Sequence, residues 1–281
     1  MNEGILLLDK EEGMTSRKVD NLIARKFLCK KVGHLGTLDP FATGLLLVAV
    51  GKGTKFLPYL DSSYKTYLAT LILGKKSDTG DLTGNFVEEK TVPLLDEKAI
   101  ERVFAGFLGF SYQLPPMTSA IKIDGVPLYK LAHKGESKER ERRQIEVKEL
   151  SCLSFEGNSL VFKATVSSGT YIRTLGEDIA ERLGTVGYLE SLRRTKIGSI
   201  DVAKAKKLDE LAEADFLSPS PFVNLERIML QKSQVQDVKN GKKIVLPEAK
   251  SDEVALLEGE EVIAVYARER ENCFVSKRGL F

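Results

Sequence analysis

The chain has 281 residues, 42% hydrophobic and 29% charged, enough for one large core and a smaller one. Its 42 Lys and Arg against 40 Asp and Glu leave a formal net charge of +2, which excludes a histone-like global attraction; a polyanion must be met by local patches. Apolar runs at residues 5–8 and 45–50 fall short of the roughly 20 residues a membrane-spanning helix needs, and no basic-then-apolar leader opens the chain, so an unprocessed cytosolic protein is expected.

In chain order, Gly4-Ile5-Leu6-Leu7-Leu8-Asp9 reads as a buried strand. Val19, Leu22, Ile23 and Phe27 then recur at helical spacing behind Thr15-Ser16, which predicts a capped helix over 16–29. A glycine-punctuated loop over 33–44 leads into a strand at 45–50, and residues 64–73 alternate as a half-buried strand does. Asp96 is an N-cap candidate for a helix carrying Ile100, Val103, Phe104, Phe107 and Leu108. Strands at 144–155 and 160–166 flank the hairpin signal Glu156-Gly157-Asn158-Ser159, and a helix over 170–183 is closed by Gly184. Interleaved helices together with hairpins favour an α+β fold with a mixed, largely antiparallel sheet and packed helices. After Ser218-Pro219-Ser220-Pro221 the pattern changes to short apolar pieces between turn residues. The expected partition is a domain at 1–223 and a small β-rich barrel at 224–281, which must lean on the first because about sixty residues make a marginal core.

Chemistry must come from few residue types. Cys29, Cys152 and Cys273 are odd in number and far apart, and only His34 and His133 are present, so neither a disulfide framework nor a clustered metal site is expected. Gly51-Lys52-Gly53-Thr54-Lys55 suggests a phosphate loop, but a Walker motif needs glycine where Leu46 stands. In the loop over 33–44, three glycines permit tight backbone geometry and Asp39-Pro40 fixes a carboxylate at a rigid turn, which marks Asp39 as a candidate catalytic group or an ordinary turn residue.

The stretch Gly33-His34-Leu35-Gly36-Thr37-Leu38-Asp39-Pro40-Phe41-Ala42-Thr43-Gly44 closely resembles the catalytic loop of the bacterial tRNA pseudouridine-55 synthase family, TruB. Family-like segments recur in order: Gly4-Ile5-Leu6-Leu7-Leu8-Asp9-Lys10, Tyr64-Lys65-Thr66-Tyr67, Gln113-Leu114-Pro115-Pro116-Met117-Thr118-Ser119-Ala120, Gly169-Thr170-Tyr171-Ile172-Arg173-Thr174-Leu175 and Leu192-Arg193-Arg194-Thr195.

The resemblance implies a pseudouridine synthase fold with a PUA-like C-terminal RNA-binding domain. It also implies an isomerase that flips the T-loop uridine at position 55 out of the tRNA T-arm, detaches its base, rotates it and rejoins C5 to C1′. No metal or organic cofactor and no protein partner are implied, and a monomer is expected. Asp39 is then the nucleophile, attacking C1′ or the uracil ring or promoting a glycal route; all three fit the sequence. Tyr67 matches a tyrosine that stacks on uracil and is suspected of proton transfer. Arg173 matches an arginine that pairs with the nucleophile, and Tyr171 and Leu192 match residues lining the base pocket. His34 matches a residue filling space vacated in the T-loop stack, and Lys10 a possible phosphate contact.

Departures are Glu11 where proline is frequent, Gly53 where alanine is usual, and Ser168 in place of a frequent lysine, which removes a possible phosphate contact and so bears on details of binding, not on the reaction class. Two basic segments give weaker support for RNA: residues 193–207 hold six Lys/Arg against Asp201, and 130–148 hold seven against four acids. The rival reading is a catalytically inert tRNA-binding or RNA-folding protein, against which Asp39, Tyr67 and Arg173 argue together.

Overall fold

The run of apolar residues from Ile5 to Leu8 has no polar alternation because both of its faces are covered. In the computed structural model, which describes all residues except 1, 2, 120, 124, 133–135, 137 and 281, strand β1 (Gly4–Lys10) pairs antiparallel with β3 (Thr43–Val50). Ile5, Leu7, Leu45, Leu47 and Ala49 face one core, and Leu6, Leu8, Leu46, Val48 and Val50 face another. The second core is closed by Val19, Ile23 and Phe27 of helix α1 (Ser16–Lys26), whose first turn is capped by Thr15 Oγ1 accepting from Lys18 N. Leu28, with φ +53°, ends that helix earlier than periodicity suggests. Each fully buried leucine or valine contributes about 1.5–3 kcal/mol, so this doubly covered pair forms a rigid base.

The main sheet continues outward from that base. Strand β2 (Val32–Leu35) pairs with β3, so Gly33 and His34 belong to a short strand and the loop proper spans only 36–42. Strands β4 (Tyr64–Leu73), β5 (Gly109–Gln113), β6 (Arg143–Glu156), β7 (Ser159–Ser167) and β8 (Gly187–Ile197) complete the order β1-β3-β8-β4-β7-β6-β5. Every pairing on this path is antiparallel except β8 with β3, where Arg193 lies opposite Thr43 and Arg194 opposite Gly44. Helices α2 (Glu97–Ala105), capped by Asp96, and α3 (Ile172–Arg182) add Ile100, Phe104, Leu175 and Ile179 to the sheet's largest core. This is the mixed, largely antiparallel α+β architecture expected.

The central strand β8 is not visible as a strand in the sequence. Its Arg193-Arg194-Thr195-Lys196 looks like a solvated basic face, yet it lies between β3 and β4.

At the C-terminal end, β9 (Glu226–Met229), β10 (Ile244–Val245), β11 (Glu253–Glu258), β12 (Glu261–Arg270) and β13 (Cys273–Gly279) form a separate five-stranded sheet ordered β9-β11-β12-β13-β10. Helix α4 (Lys232–Lys239) adds Val238 to that unit's own core, and Asn240-Gly241 closes this helix. Ala255, Leu257, Val262, Val265 and Leu280 cover the outer face of β1 and β3, so the small unit does lean on the large one. Among the described residues no helix is long and apolar enough to cross a membrane.

Candidate active site

Asp39 sits in the loop between β2 and β3, and the loop is fixed from beneath by buried polar groups. Ser16 Oγ accepts from Leu38 N at 2.9 Å and donates to Leu38 O at 3.1 Å. Lys10 Nζ donates to Glu11 O, Met14 O and Pro40 O at 2.9, 2.8 and 3.3 Å. Arg194 donates from Nη2 to Gly36 O and from Nε to Leu45 O, both at 2.8 Å. Leu38, Phe41 and Ala42 are inserted into the main core, while the Asp39 side chain keeps 35% of its surface exposed.

The glycines of the loop answer to this crowding. At Gly44, with φ +101°, a Cβ would stand 2.3 Å from Arg194 O, so only glycine allows β3 to run beside β8. At Gly36, with φ +69°, it would press on Lys65 Cε and Arg194 Nη1 at 3.2 and 3.3 Å.

Arg173 enters from the first turn of α3, on a helix whose Ile172, Leu175, Gly176, Ile179 and Ala180 face inward; the arginine is only 3% exposed. Its Nε donates to Asp39 Oδ2 at 3.0 Å and its Nη1 lies 3.5 Å from Asp81 Oδ2. Nη1 also donates to Thr79 O at 2.7 Å and Thr118 Oγ1 at 2.5 Å, and Nη2 to Thr118 O at 2.9 Å. A fixed planar fork can hold this many acceptors at once where a lysine could not. Asp81, itself buried, accepts from Thr83 N, Thr83 Oγ1 and Thr79 Oγ1 at 2.9, 2.5 and 3.0 Å.

Two carboxylates thus share one guanidinium. Surrounding protein pushes the Asp39 pKa above its ordinary value, Arg173 pulls it down, and the Asp81 charge pushes it up again.

Around Asp39 the other sequence candidates take distinct places. Tyr67 on β4 and Leu192 on β8 are both mostly buried and belong to the same core cluster as Leu38, Phe41 and Ile172. Tyr171, half-buried before α3, donates its N–H to Gln113 Oε1 at 2.8 Å, and its carbonyl accepts from Gln113 Nε2 at 3.1 Å. Burial raises its phenol pKa. His34 Nδ1 stands 3.0 Å from both carboxylate oxygens of Asp20, and Nε2 is 3.2 Å from Thr37 Oγ1.

Lys10, matched to a possible phosphate contact, is 1% exposed, and its Nζ donates to three main-chain carbonyls. Burial lowers its pKa to about 8. Lys65, also buried, lies near Arg194, donates to Ser168 Oγ at 3.0 Å and has its pKa lowered to about 8 by burial first and Arg194 second.

The basic segment after residue 192 is largely paired within the chain, although of its basic side chains only Arg194 is buried. Arg194 is fully buried, Arg193 pairs with Asp9 at 2.6 Å, Lys206 with Asp215 at 2.6 Å and Lys207 with Glu11 at 3.5 Å. In the second basic segment, His133 and Lys134 lie outside the described residues.

Sequence reasoning missed Asp81, Thr79 and the anchoring part of Thr118. The available signal was Ser77-Asp78-Thr79-Gly80-Asp81-Leu82-Thr83-Gly84, a hydroxyl-rich turn in which one aspartate has threonines two residues away on both sides.

Residues 24–172 match the N-terminal domain of TruB family pseudouridylate synthases, and residues 173–230 match the C-terminal domain of tRNA pseudouridylate synthase B. The tRNA pseudouridine synthase B of Geobacter sulfurreducens is 48% identical over 219 residues, covering 77% of this chain and 72% of that protein. That of Hydrogenovibrio crunogenus is 42% identical over 250 residues, covering 88% and 82%. A chain of a Cbf5-Nop10-Gar1 complex superposes with a TM-score of 0.78 over 100% of this chain and 85% of that one, at 24% identity, which speaks to the fold alone. With more than half of its length matched and relatives this similar, the chain belongs to the TruB family of pseudouridylate synthases.

Proposed function

We propose that this enzyme isomerises the T-loop uridine at position 55 of cytoplasmic tRNA to pseudouridine, with Asp39 as the nucleophile. The observation that carries the reading is the Asp39–Arg173 pair: a carboxylate with about a third of its side-chain surface exposed, held by a buried guanidinium. A nucleophile must act as the anion; burial of Asp39 favours its neutral form, and the arginine opposes that by favouring the charged form. Atoms balance without a co-reactant: the C1′–N1 bond breaks, C5 bonds to C1′, the C5 proton leaves and N1 gains one. Asp39 can form and release the covalent link in either the C1′ or the ring route.

The uridine must leave its stack for C5 and C1′ to be reached, at a cost of a few kcal/mol. Tyr67 then supplies a face for the base and a hydroxyl for proton transfer. Leu192 and Tyr171 bound the base, and His34 stands where unstacked nucleotides leave a gap. Lys10 positions the loop through Pro40 O. The unit at 224–281 serves as a PUA-like RNA-binding domain attached to a catalytic domain at 1–223.

The test is incubation of the purified enzyme with unmodified tRNA transcript and mapping of pseudouridine at single-nucleotide resolution, with Asp39→Asn as control. Product at the T-loop uridine, absent with Asp39→Asn, is expected. Tight binding by the wild-type protein with no product would replace this reading by that of an inert tRNA-folding protein.

A further inference from the structure

Asp20 is a carboxylate in an expensive place. It projects from the buried face of α1 beside Val19 and Ile23, and its side chain is only 3% exposed. A buried carboxylate persists only with hydrogen-bonding partners. Arg17 Nη1 reaches one oxygen at 3.4 Å from a side chain that is 74% exposed, so it is a weak anchor. The closer partner is His34 Nδ1, 3.0 Å from each oxygen.

We propose that Asp20 is a positioning residue that fixes the ring plane and tautomer of His34 for contact with RNA, an inference that rests on the reading of His34 as an RNA-contacting residue. A carboxylate accepts, so the ring hydrogen sits on Nδ1 and Nε2 is left to accept from the Thr37 hydroxyl at 3.2 Å. The line Asp20–His34–Thr37 therefore runs from the core under α1 to an exposed residue two positions before Asp39. His34 lies on β2, which is held by β3, so backbone and side chain are restrained independently. A ring fixed in this way loses little side-chain entropy when a nucleotide stacks against it or a ribose hydroxyl approaches it. Without Asp20, Nδ1 would face the apolar underside of α1 and the hydrogen would move to Nε2, with the Thr37 hydroxyl then accepting instead of donating.

The sequence offers a clean probe, because His34 and His133 are the only two histidines and 15N-labelled imidazoles give two patterns, assigned with His34→Ala. In the wild-type protein His34 should show the Nδ1–H form. Asp20→Leu should switch it to Nε2–H and weaken tRNA binding by about tenfold, with most of the loss in Kd and little in the single-turnover rate at saturating tRNA. Asp20→Asn retains an acceptor oxygen, so it should keep the Nδ1–H form and most of the affinity. An Nδ1–H ring in Asp20→Leu, or tRNA affinity equal to wild type in that variant, overturns the proposal. Should Asp20→Leu fail to fold, Asp20→Asn decides: retained Nδ1–H supports the proposal and a switch to Nε2–H overturns it. The tautomer is read in the free protein, so failure of the enzyme to modify tRNA would sink the functional reading in a way visibly separate from this test.

Discussion

Arg173 Nε donates to Asp39 Oδ2 at 3.0 Å while the same guanidinium lies 3.5 Å from Asp81 Oδ2, so the charge of Asp39 depends on a cation it shares with a second carboxylate. Arg173→Met removes a group that both pairs with Asp39 and donates to it. The Asp39 pKa, already raised, should rise further, and under the proposed role of Asp39 as an anionic nucleophile the acidic limb of the single-turnover rate should move to higher pH. Removing one partner of a buried pair costs about 3–5 kcal/mol, and the lower end applies because a third of the Asp39 side chain is exposed. Arg173→Lys keeps the charge but loses the fork and should restore only part of the rate. A pH–rate profile unchanged in both variants would remove Arg173 from the site.

Asp81→Asn should have the opposite sign. The amide can still accept from Thr83 and Thr79, but the like charge that raises the Asp39 pKa is gone. The acidic limb should therefore move to lower pH. A shift upward would mean that Asp81 acts on Asp39 chiefly by holding Arg173 in place.

Tyr67→Phe deletes a hydroxyl and leaves the ring packed with Leu38, Phe41 and Leu192. Stability and tRNA affinity should stay close to wild type, while turnover should fall by about 10²-fold or more if that hydroxyl carries a proton. Tyr67→Leu should additionally weaken binding of the flipped base, by an amount comparable to the loss of one stacking face, about 1–3 kcal/mol. Normal turnover in Tyr67→Phe would reduce Tyr67 to a stacking surface.

Lys65 makes a prediction about stability alone. Its pKa of about 8 in the folded protein lies below the 10.5 of the unfolded chain, so between those values the unfolded state binds more protons. The stability this group withholds at neutral pH is regained as pH rises from 8 to 10.5, and lost again as pH falls through 8. At 1.36 kcal/mol per unit, Lys65→Met should stabilise the protein at pH 7 by up to about 3 kcal/mol and flatten its stability between pH 8 and 10. Denaturant titration at pH 7 and pH 10 reads both; equal slopes for wild type and variant would show that the lysine is not desolvated.

Local elements were legible from sequence because their causes are local. Asp96 caps α2, Gly157 takes φ +62° in the β6–β7 turn and residues 64–73 alternate, each set by a few neighbouring residues. The loop motif with Asp39, and the resemblance it carries, were equally plain. What failed were features whose cause lies far along the chain. The His34 segment reads as a loop until β3 pairs with it, and α4 hides among turn residues until Val238 finds the C-terminal core.

The sequence by itself determined the α+β class, the loop that carries Asp39 and the family, since periodicity, capping and motif order are written in adjacent residues. Tertiary structure alone decided which charges are buried. Arg194 reads as part of a basic surface and is fully buried because β8 is inserted between β3 and β4; Lys10 reads as a possible phosphate contact, and its buried ammonium is bound to main-chain carbonyls of the Asp39 loop and its neighbours. Asp81 reads as a turn residue and becomes the second carboxylate on Arg173 only when α3 packs against the sheet. The physical reason is that burial of a charge, and the pKa that follows from it, depends on which distant segments exclude water from it, and no neighbouring residue encodes that.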